Sequence, residues 1–468
     1  MNITRRGHLH ALTAALGLAL ARPAFAASDA FPGTWTGILD VGAQLTLRLV
    51  IDADGVGLIS VDQGSGRIPG SEVVMDGRRI RVAFKAIGAS FEGALTDERH
   101  IDGVFTQGGA REIRFTRGMV AEAGPEPARL PLTPDRLEET RATAGAPALG
   151  AAWSSMKGST TLVAGLRSTQ ATIAVKPTDQ WHWGSITKSM TATLCARLVE
   201  AGGVGWDTTI GQVLDEPDYQ TPAAFRDATL LHLLSHRAGL QPNVTGMEFS
   251  SLPLADPRAD RLKFARAALG LKPAAALGAR MIYSNNGYVI AGAMLEKVTG
   301  RPWEALIQAE VFAPLGVKHA GQGPPGAAGR IDQPSGHTLT AGKLIPDPPG
   351  QPGSDNPVAL GPAGRVHMPL ADMLTYLRAH RDRPARFLKP ETWTKLHTPA
   401  FGDSYALGWV VRKDGSLWHN GSNTMWYGEI LVDPKAGAVC AACANDASPN
   451  AKKAVAEVLM AARTAALG

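Results

Sequence analysis

The hydrophobic period of the chain changes once, near Thr133, and that change divides it. Between residues 31 and 117, apolar side chains recur at every second position. Leu45, Leu47, Leu49 and Ile51 alternate with Thr46, Arg48 and Val50, and Ile80, Val82 and Phe84 alternate with Arg81 and Ala83. Residues two apart on a strand share a face, and Asp54-Gly55, Asp76-Gly77 and Gly108-Gly109 supply turns between the runs. The pattern predicts short antiparallel strands closed as a small barrel or folded as a sandwich. Beyond Thr133 the periods mix. Strand patterns at 148–153 and 160–166 return only near 405–411, 417–419, 427–432 and 439–444, with helical and loop-rich sequence between them. That order predicts an α+β domain, an antiparallel sheet flanked by helices with a helical insertion. Helices are expected at 137–144, 181–200 and 454–466. Gly124-Pro125-Glu126-Pro127, Pro131 and Pro134 read as a linker. The expected domains are therefore 27–118 and 135–468, joined by 119–134.

The first 26 residues read as a signal peptide. Thr4-Arg5-Arg6 is positive, residues 11–21 form an apolar run too short to span a bilayer, and Ala24-Phe25-Ala26 is a small-residue cleavage site. The paired arginines resemble a twin-arginine signal, with His8 where that pattern prefers Phe. The expected location is periplasmic or secreted, with no membrane span. The formal charge of +5 falls to +2 once Arg5, Arg6 and Arg22 are removed, so the pI near 9.1 is no nucleic-acid footprint. Cys440 and Cys443 invite a redox or metal reading. They lie in an apolar strand pattern, where residues three apart face opposite ways and are too distant for a disulfide. Buried free thiols are expected there, and at Cys195.

Ser185 and Lys188 stand three apart at the head of an apolar helical run through Met190, Leu194 and Leu198. Residues so spaced share a helix face, which places the amine beside the hydroxyl, and Gly184 allows a sharp turn before it. A serine hydroxyl needs a neighbouring base to become a nucleophile. A lysine serves if burial or the positive end of a helix dipole lowers its pKa. Further on, Tyr283 and Asn285 form a Tyr-x-Asn element before a second helical run, with Ser284 or Asn285 as its N-cap. A tyrosine there is a second base, and an asparagine offers both a donor and an acceptor to a substrate amide. Trp418-His419-Asn420-Gly421-Ser422 joins a strand to a small-residue turn, where Gly421 lets a substrate lie against the strand edge.

Together with Leu230-Leu231-His232-Leu233-Leu234-Ser235-His236-Arg237-Ala238-Gly239-Leu240, Pro314-Leu315-Gly316-Val317, Leu360-Gly361-Pro362-Ala363-Gly364 and Leu407-Gly408-Trp409, these segments stand in family order. The region from Asp135 onward resembles the serine β-lactamase/penicillin-binding protein family, in the branch of class C β-lactamases, D-aminopeptidases and related esterases. The β module resembles a small lipocalin-like domain, on Pro32-Gly33-Thr34-Trp35-Thr36-Gly37, Asp62-Gln63-Gly64 and Thr106-Gln107-Gly108-Gly109.

The resemblance implies a β-lactamase/transpeptidase-like fold and an acyl-enzyme on Ser185. It implies proton transfer shared by Lys188 and Tyr283, and substrate contacts from Asn285, His419, Asn420, Gly421 and Ser422. The oxyanion would meet the backbone N–H groups of Ser185 and Ser422. It implies no metal and no organic cofactor, and His232 with His236 reads as packing. Where penicillin-recognising members carry Lys-Thr-Gly, this chain has His419-Asn420-Gly421, which favours esters over carboxylate-bearing β-lactams. Arg365 is expected at the surface, with a replacement cation for the pocket as the alternative. Substrates in view are small esters, β-lactams and short D-amino-acid peptides. Two other readings stay open: a non-catalytic cell-wall sensor, and a lipid or peptide carrier centred on the β module.

Overall fold

The computed structural model describes residues 31–40, 44–52, 54–60, 67–107, 109–117 and 130–468. The expected signal peptide, Asp62-Gln63-Gly64, Gly108 and positions 119–129 of the expected linker lie outside them. The chain divides into two compact units.

The first unit holds β1 (Gly33–Asp40), β2 (Gln44–Asp52), β3 (Gly55–Ser60), β4 (Ile68–Pro69), β5 (Glu72–Asp76), β6 (Arg79–Phe84), β7 (Ala89–Leu95), β8 (His100–Thr106) and β9 (Ala110–Arg117). They form one sheet in the order β4-β3-β2-β1-β9-β8-β7-β6-β5. The two edge strands are consecutive in the chain, and the segment joining them bonds both ways. Gly70 N–H donates to Val56 O on one side, and Ser71 N–H donates to Ala83 O on the other. The sheet thus closes as a barrel. The period-two residues Leu49, Leu58, Val82, Phe84, Phe91, Phe105 and Phe115 are buried, with the Phe91 and Phe115 rings edge-on at 5.1 Å. Side chains fill the interior, as small barrels require.

The second unit begins earlier than its first helix. Leu132 N–H donates to Ala461 O, and Thr133 caps α1 (Pro134–Ala144) by accepting from Arg136 N–H. A six-stranded antiparallel sheet follows. It comprises β10 (Ala148–Ser155), β11 (Gly158–Gly165), β15 (Val410–Val411), β16 (Leu417–Ser422), β17 (Tyr427–Asp433) and β18 (Ala438–Ala444), in the order β11-β10-β18-β17-β16-β15. The remaining strands of the unit include β12 (Gln180–His182), β13 (Gly321–Gln322) and β14 (Val366–Pro369), which form a small sheet with β14 central. Strand alternation splits the six-stranded sheet's side chains between two cores. Leu149, Ala151, Cys440 and Ala442 pack with Val455, Val458 and Leu459 of the C-terminal helix, Pro449–Leu467. Ala148, Ala152, Ala441 and Cys443 join the larger core, with Ile186, Met190 and Leu194. Cys440 and Cys443 therefore sit on opposite faces, and all three cysteines are free and buried. No described helix is long and apolar enough to cross a membrane.

Two sequence expectations need correction. The helix expected over 181–200 starts later: Trp181 lies in β12, a 3₁₀ turn covers Gly184–Ile186, and α2 spans Thr187–Glu200. Pairing across the small sheet, with Trp183 N–H donating to Val366 O, outcompetes helical propensity there. The strand expected over 405–411 shrinks to β15. A tight turn, with Ala406 N–H donating to Trp409 O, presses Gly408 (φ +76°) onto α2. A Cβ at Gly408 would lie 2.5 Å from Ser189 Cα, so only glycine allows that approach.

Candidate active site

Gly184 adopts φ +48° and delivers the chain into the turn before α2. Ser185 is left half-buried, while Lys188, the second residue of α2, is fully buried. The helix geometry places Lys188 Nζ 3.0 Å from Ser185 Oγ. Nζ also donates to Asn285 Oδ1 at 2.7 Å and to Ala363 O at 2.7 Å. Burial pushes the Lys188 pKa well below the ordinary lysine range, and its place in the first turn of a helix acts in the same direction. The geometry suits the neutral amine. In that form its two N–H groups meet the two carbonyl oxygens and its lone pair turns to the serine hydroxyl, whereas an ammonium donates to all three oxygens.

Tyr283 lies on the other side of this amine, with Nζ 4.9 Å from its ring centre. The Tyr288 ring is 5.6 Å away. Ser284, not Asn285, caps the helix Asn285–Thr299. His236, read from sequence as packing, has a positional role. Its Nδ1 accepts from Ser284 N–H at 3.1 Å, and its ring stacks 4.3 Å from Tyr283 and 4.7 Å from Tyr405. His232 Nδ1 lies 2.7 Å from Thr229 Oγ1, within the N-terminal capping box of its short helix.

The residues expected to meet substrate separate into groups. Asn285 turns its amide to the lysine and to Asn243, whose Oδ1 accepts from its Nδ2 at 2.7 Å; Asn243 carried no signal in the sequence. His419 is buried with both nitrogens engaged. Its Nε2 accepts from the Tyr405 hydroxyl at 3.0 Å, and its Nδ1 contacts Asn420 O. Burial, with the adjacent Lys188, pushes its pKa down to about 3, so the ring is neutral. Asn420 does not join the site. Strand alternation turns it to the opposite face from His419, where its Nδ2 donates to the Tyr427 hydroxyl. Arg365 is 3 % exposed rather than a surface residue. Its Nε lies 3.7 Å from the buried Asp355 carboxylate, so its charge is committed there.

Gly421 and Gly184 bring two backbones together. A Cβ on Gly421 would lie 2.0 Å from Trp183 O and 2.8 Å from Ser185 N, and one on Gly184 would lie 2.3 Å from Ser422 N. The Ser422 backbone nitrogen thus lies against the Gly184–Ser185 backbone, across a contact that two glycines permit.

The buried histidines predict acid lability. Burial holds His419 and His397 near pKa 3 and His367 near 4, against about 6.5 in an unfolded chain. Below about pH 6.5 the unfolded state binds more protons. Stability therefore falls with falling pH, by up to about 1.4 kcal/mol per pH unit for each group. Urea midpoints measured from pH 7 to pH 4 should drop steadily; a flat or rising series contradicts this.

The beta-lactamase family profile matches residues 136–465. This chain belongs to the beta-lactamase family. It is a serine hydrolase of that family. "Penicillin-binding protein 4" of Amycolatopsis lactamdurans is 28% identical over 293 residues, covering 58% of this chain and 74% of the relative. "Unguisins hydrolase ungD" of Aspergillus violaceofuscus is 29% identical over 161 residues, covering 33% of this chain and 28% of that protein. Among solved structures, the D-amino acid amidase from Ochrobactrum anthropi complexed with L-phenylalanine amide superposes with a TM-score of 0.58. It is 21% identical, and the match covers 70% of this chain and 97% of that one. The octameric penicillin-binding protein homologue from Pyrococcus abyssi superposes at 0.57, 23% identical, covering 70% and 78%. At these identities the structural matches establish the beta-lactamase-like fold alone.

Proposed function

We propose that this beta-lactamase family member is an exported enzyme that forms an acyl-enzyme on Ser185 and cleaves ester or amide bonds, with short uncharged esters favoured. One observation carries the reading: a buried amine, its two N–H groups held by Asn285 and Ala363, 3.0 Å from the Ser185 hydroxyl. Neutral Lys188 takes the hydroxyl proton as Oγ bonds to the substrate carbonyl carbon. The resulting oxyanion meets the N–H groups of Ser185 and Ser422; preorganised donors of this kind contribute about 3 kcal/mol each. The proton then passes to the leaving alcohol or amine, with Tyr283 beside the lysine to share its delivery. Water next attacks the acyl carbon, the same base takes its proton, and that proton returns to Ser185 Oγ as the acyl C–Oγ bond breaks. The charged, apolar and small-residue order of the first 26 residues supports export.

The substrate preference follows from charge. Neutral His419 brings no cation to a substrate carboxylate, and Arg365 is held by Asp355. A charge-assisted hydrogen bond is worth roughly 1.5–3 kcal/mol, about ten- to a hundredfold in discrimination. The kcat/KM for p-nitrophenyl acetate should exceed that for nitrocefin by at least about tenfold. A ratio below one overturns the preference. A D-phenylalanine amide assayed in parallel, chosen because a structural neighbour is a D-amino acid amidase, shows whether amides compete with esters.

A further inference from the structure

Beneath the turn that carries Ser185 lies a buried cluster which no sequence motif marks. The Asp355 carboxylate is at its centre, buried in the interior. Its Oδ2 lies 3.0 Å from His182 Nε2, and its Oδ1 accepts from Asn423 Nδ2 at 2.8 Å. Arg365 Nε is 3.7 Å from Oδ2, and Asn356 N–H donates to Oδ1. His182 Nδ1 in turn accepts the N–H of Gly184 at 3.2 Å. An N–H can only donate, so Nδ1 is the bare nitrogen and Nε2 carries the proton to the carboxylate. Asn423 follows Ser422, and its Oδ1 accepts the N–H groups of Met425 and Trp426 at 3.2 and 3.1 Å. That bonding shapes the turn in which Thr424 takes φ +77°.

One carboxylate therefore grips both of the backbone segments that meet at Gly184 and Gly421. One arm runs from Asp355 through His182 to Gly184, the residue before Ser185. The other ends on Asn423, the residue after Ser422. The glycines at 184 and 421 remove the side chains that would hold these segments apart, but they cannot set a separation. We infer that Asp355, acting through His182 and Asn423, is the positioning residue that sets the spacing of the Ser185 and Ser422 N–H groups. The inference rests on the proposal that those two groups receive the oxyanion. Burial alone would raise a carboxyl's pKa, yet His182, Arg365 and Asn423 hold Asp355 below the ordinary carboxylate range, so the anchor is an anion.

The chemistry explains why an amide is a poor substitute. In Asp355→Asn one side-chain atom becomes an NH₂ donor. It must face either the His182 Nε2–H or the Asn423 NH₂, both donors, so one arm opens. His182→Phe keeps the packing volume and the Asp355–Arg365 pair but cuts the Gly184 arm. His182→Gln restores it, because an amide presents an acceptor and an N–H about as far apart as the two imidazole nitrogens.

The test is pre-steady-state hydrolysis of p-nitrophenyl acetate by the full chain, normalised to titrated active sites, with a phenylboronic acid as tetrahedral-adduct probe. Loss of an oxyanion donor costs about a hundred- to a thousandfold, and displacement costs less. Asp355→Asn and His182→Phe should each lower the acylation rate constant about ten- to a hundredfold and weaken boronate binding in parallel. The ester's dissociation constant should stay within about threefold, and His182→Gln should recover most of the loss. Wild-type acylation in both variants overturns the inference, as does a loss confined to ester binding, or His182→Gln no better than His182→Phe. If Asp355→Asn does not fold, His182→Phe and His182→Gln decide it. Failure of the underlying reading looks different: wild-type protein then yields no acyl adduct on Ser185.

Discussion

Ser185→Ala is expected to lose more than about a thousandfold in kcat while keeping the fold. Removing a nucleophile from a cooperating set normally costs more than that. The residue is half-buried at the mouth of the turn. Its loss removes one polar contact to Lys188 and creates no cavity in either core, so the melting temperature should move by no more than a few degrees. Mass spectrometry provides the second readout. A fluorophosphonate should add once to the wild-type chain, on the peptide containing Ser185, and not at all to the variant. If Ser185→Ala kept more than about a thousandth of the rate, or if the label appeared on another residue, the nucleophile would be misassigned.

Lys188→Met should be comparably impaired, and Lys188→Arg should be inactive at every pH. Methionine fills the stem's volume but supplies no base. Arginine carries a fixed charge and does not deprotonate in a protein. In the wild type the deprotonated amine is the active form, and burial lowers its pKa well below 10.5. Activity should therefore rise with pH along a single limb that lies well below the ordinary lysine range, then level off. Tyr283→Phe should also be strongly impaired. Its ring shares the site with the amine, and residues acting as one unit give non-additive losses. The double variant should lose less than the product of the two single losses. Residual activity of Lys188→Arg within about tenfold of wild type would exclude the lysine as base. A multiplicative double variant would show the two residues acting independently.

Much of the site was legible because its chemistry is local. Ser185 and Lys188 are three residues apart on one turn, and that spacing alone puts the amine within hydrogen-bonding reach. The same holds for the capping serine before Asn285 and for the opposed Cys440 and Cys443. Asn420 shows the limit of a motif read as a unit. Membership of His-Asn-Gly suggested a substrate contact, but the period of a strand sends alternate side chains to opposite faces, and Asn420 bonds Tyr427 instead.

What stayed hidden involves partners distant in sequence. Ala363 O and Asn243, which fix the lysine and its asparagine, lie 175 and 42 residues from the groups they hold. His182 and Asp355 are 173 apart. Nothing in a one-dimensional pattern marks such pairs, because each residue type also suits an ordinary loop or strand end.

The sequence by itself determined the two periodicities and hence the two units, the Ser185–Lys188 spacing, and the glycines that allow backbones to touch. The tertiary structure decided the charges. Packing removes water from Lys188 and pushes its pKa well below the ordinary lysine range, His419 is neutral for the same reason, and Arg365 is committed only because the fold brings Asp355 beside it. Desolvation and long-range pairing depend on which distant segments enclose a group. A side chain's identity is therefore written in the chain, but its protonation and its partners are set only when the chain has closed around it.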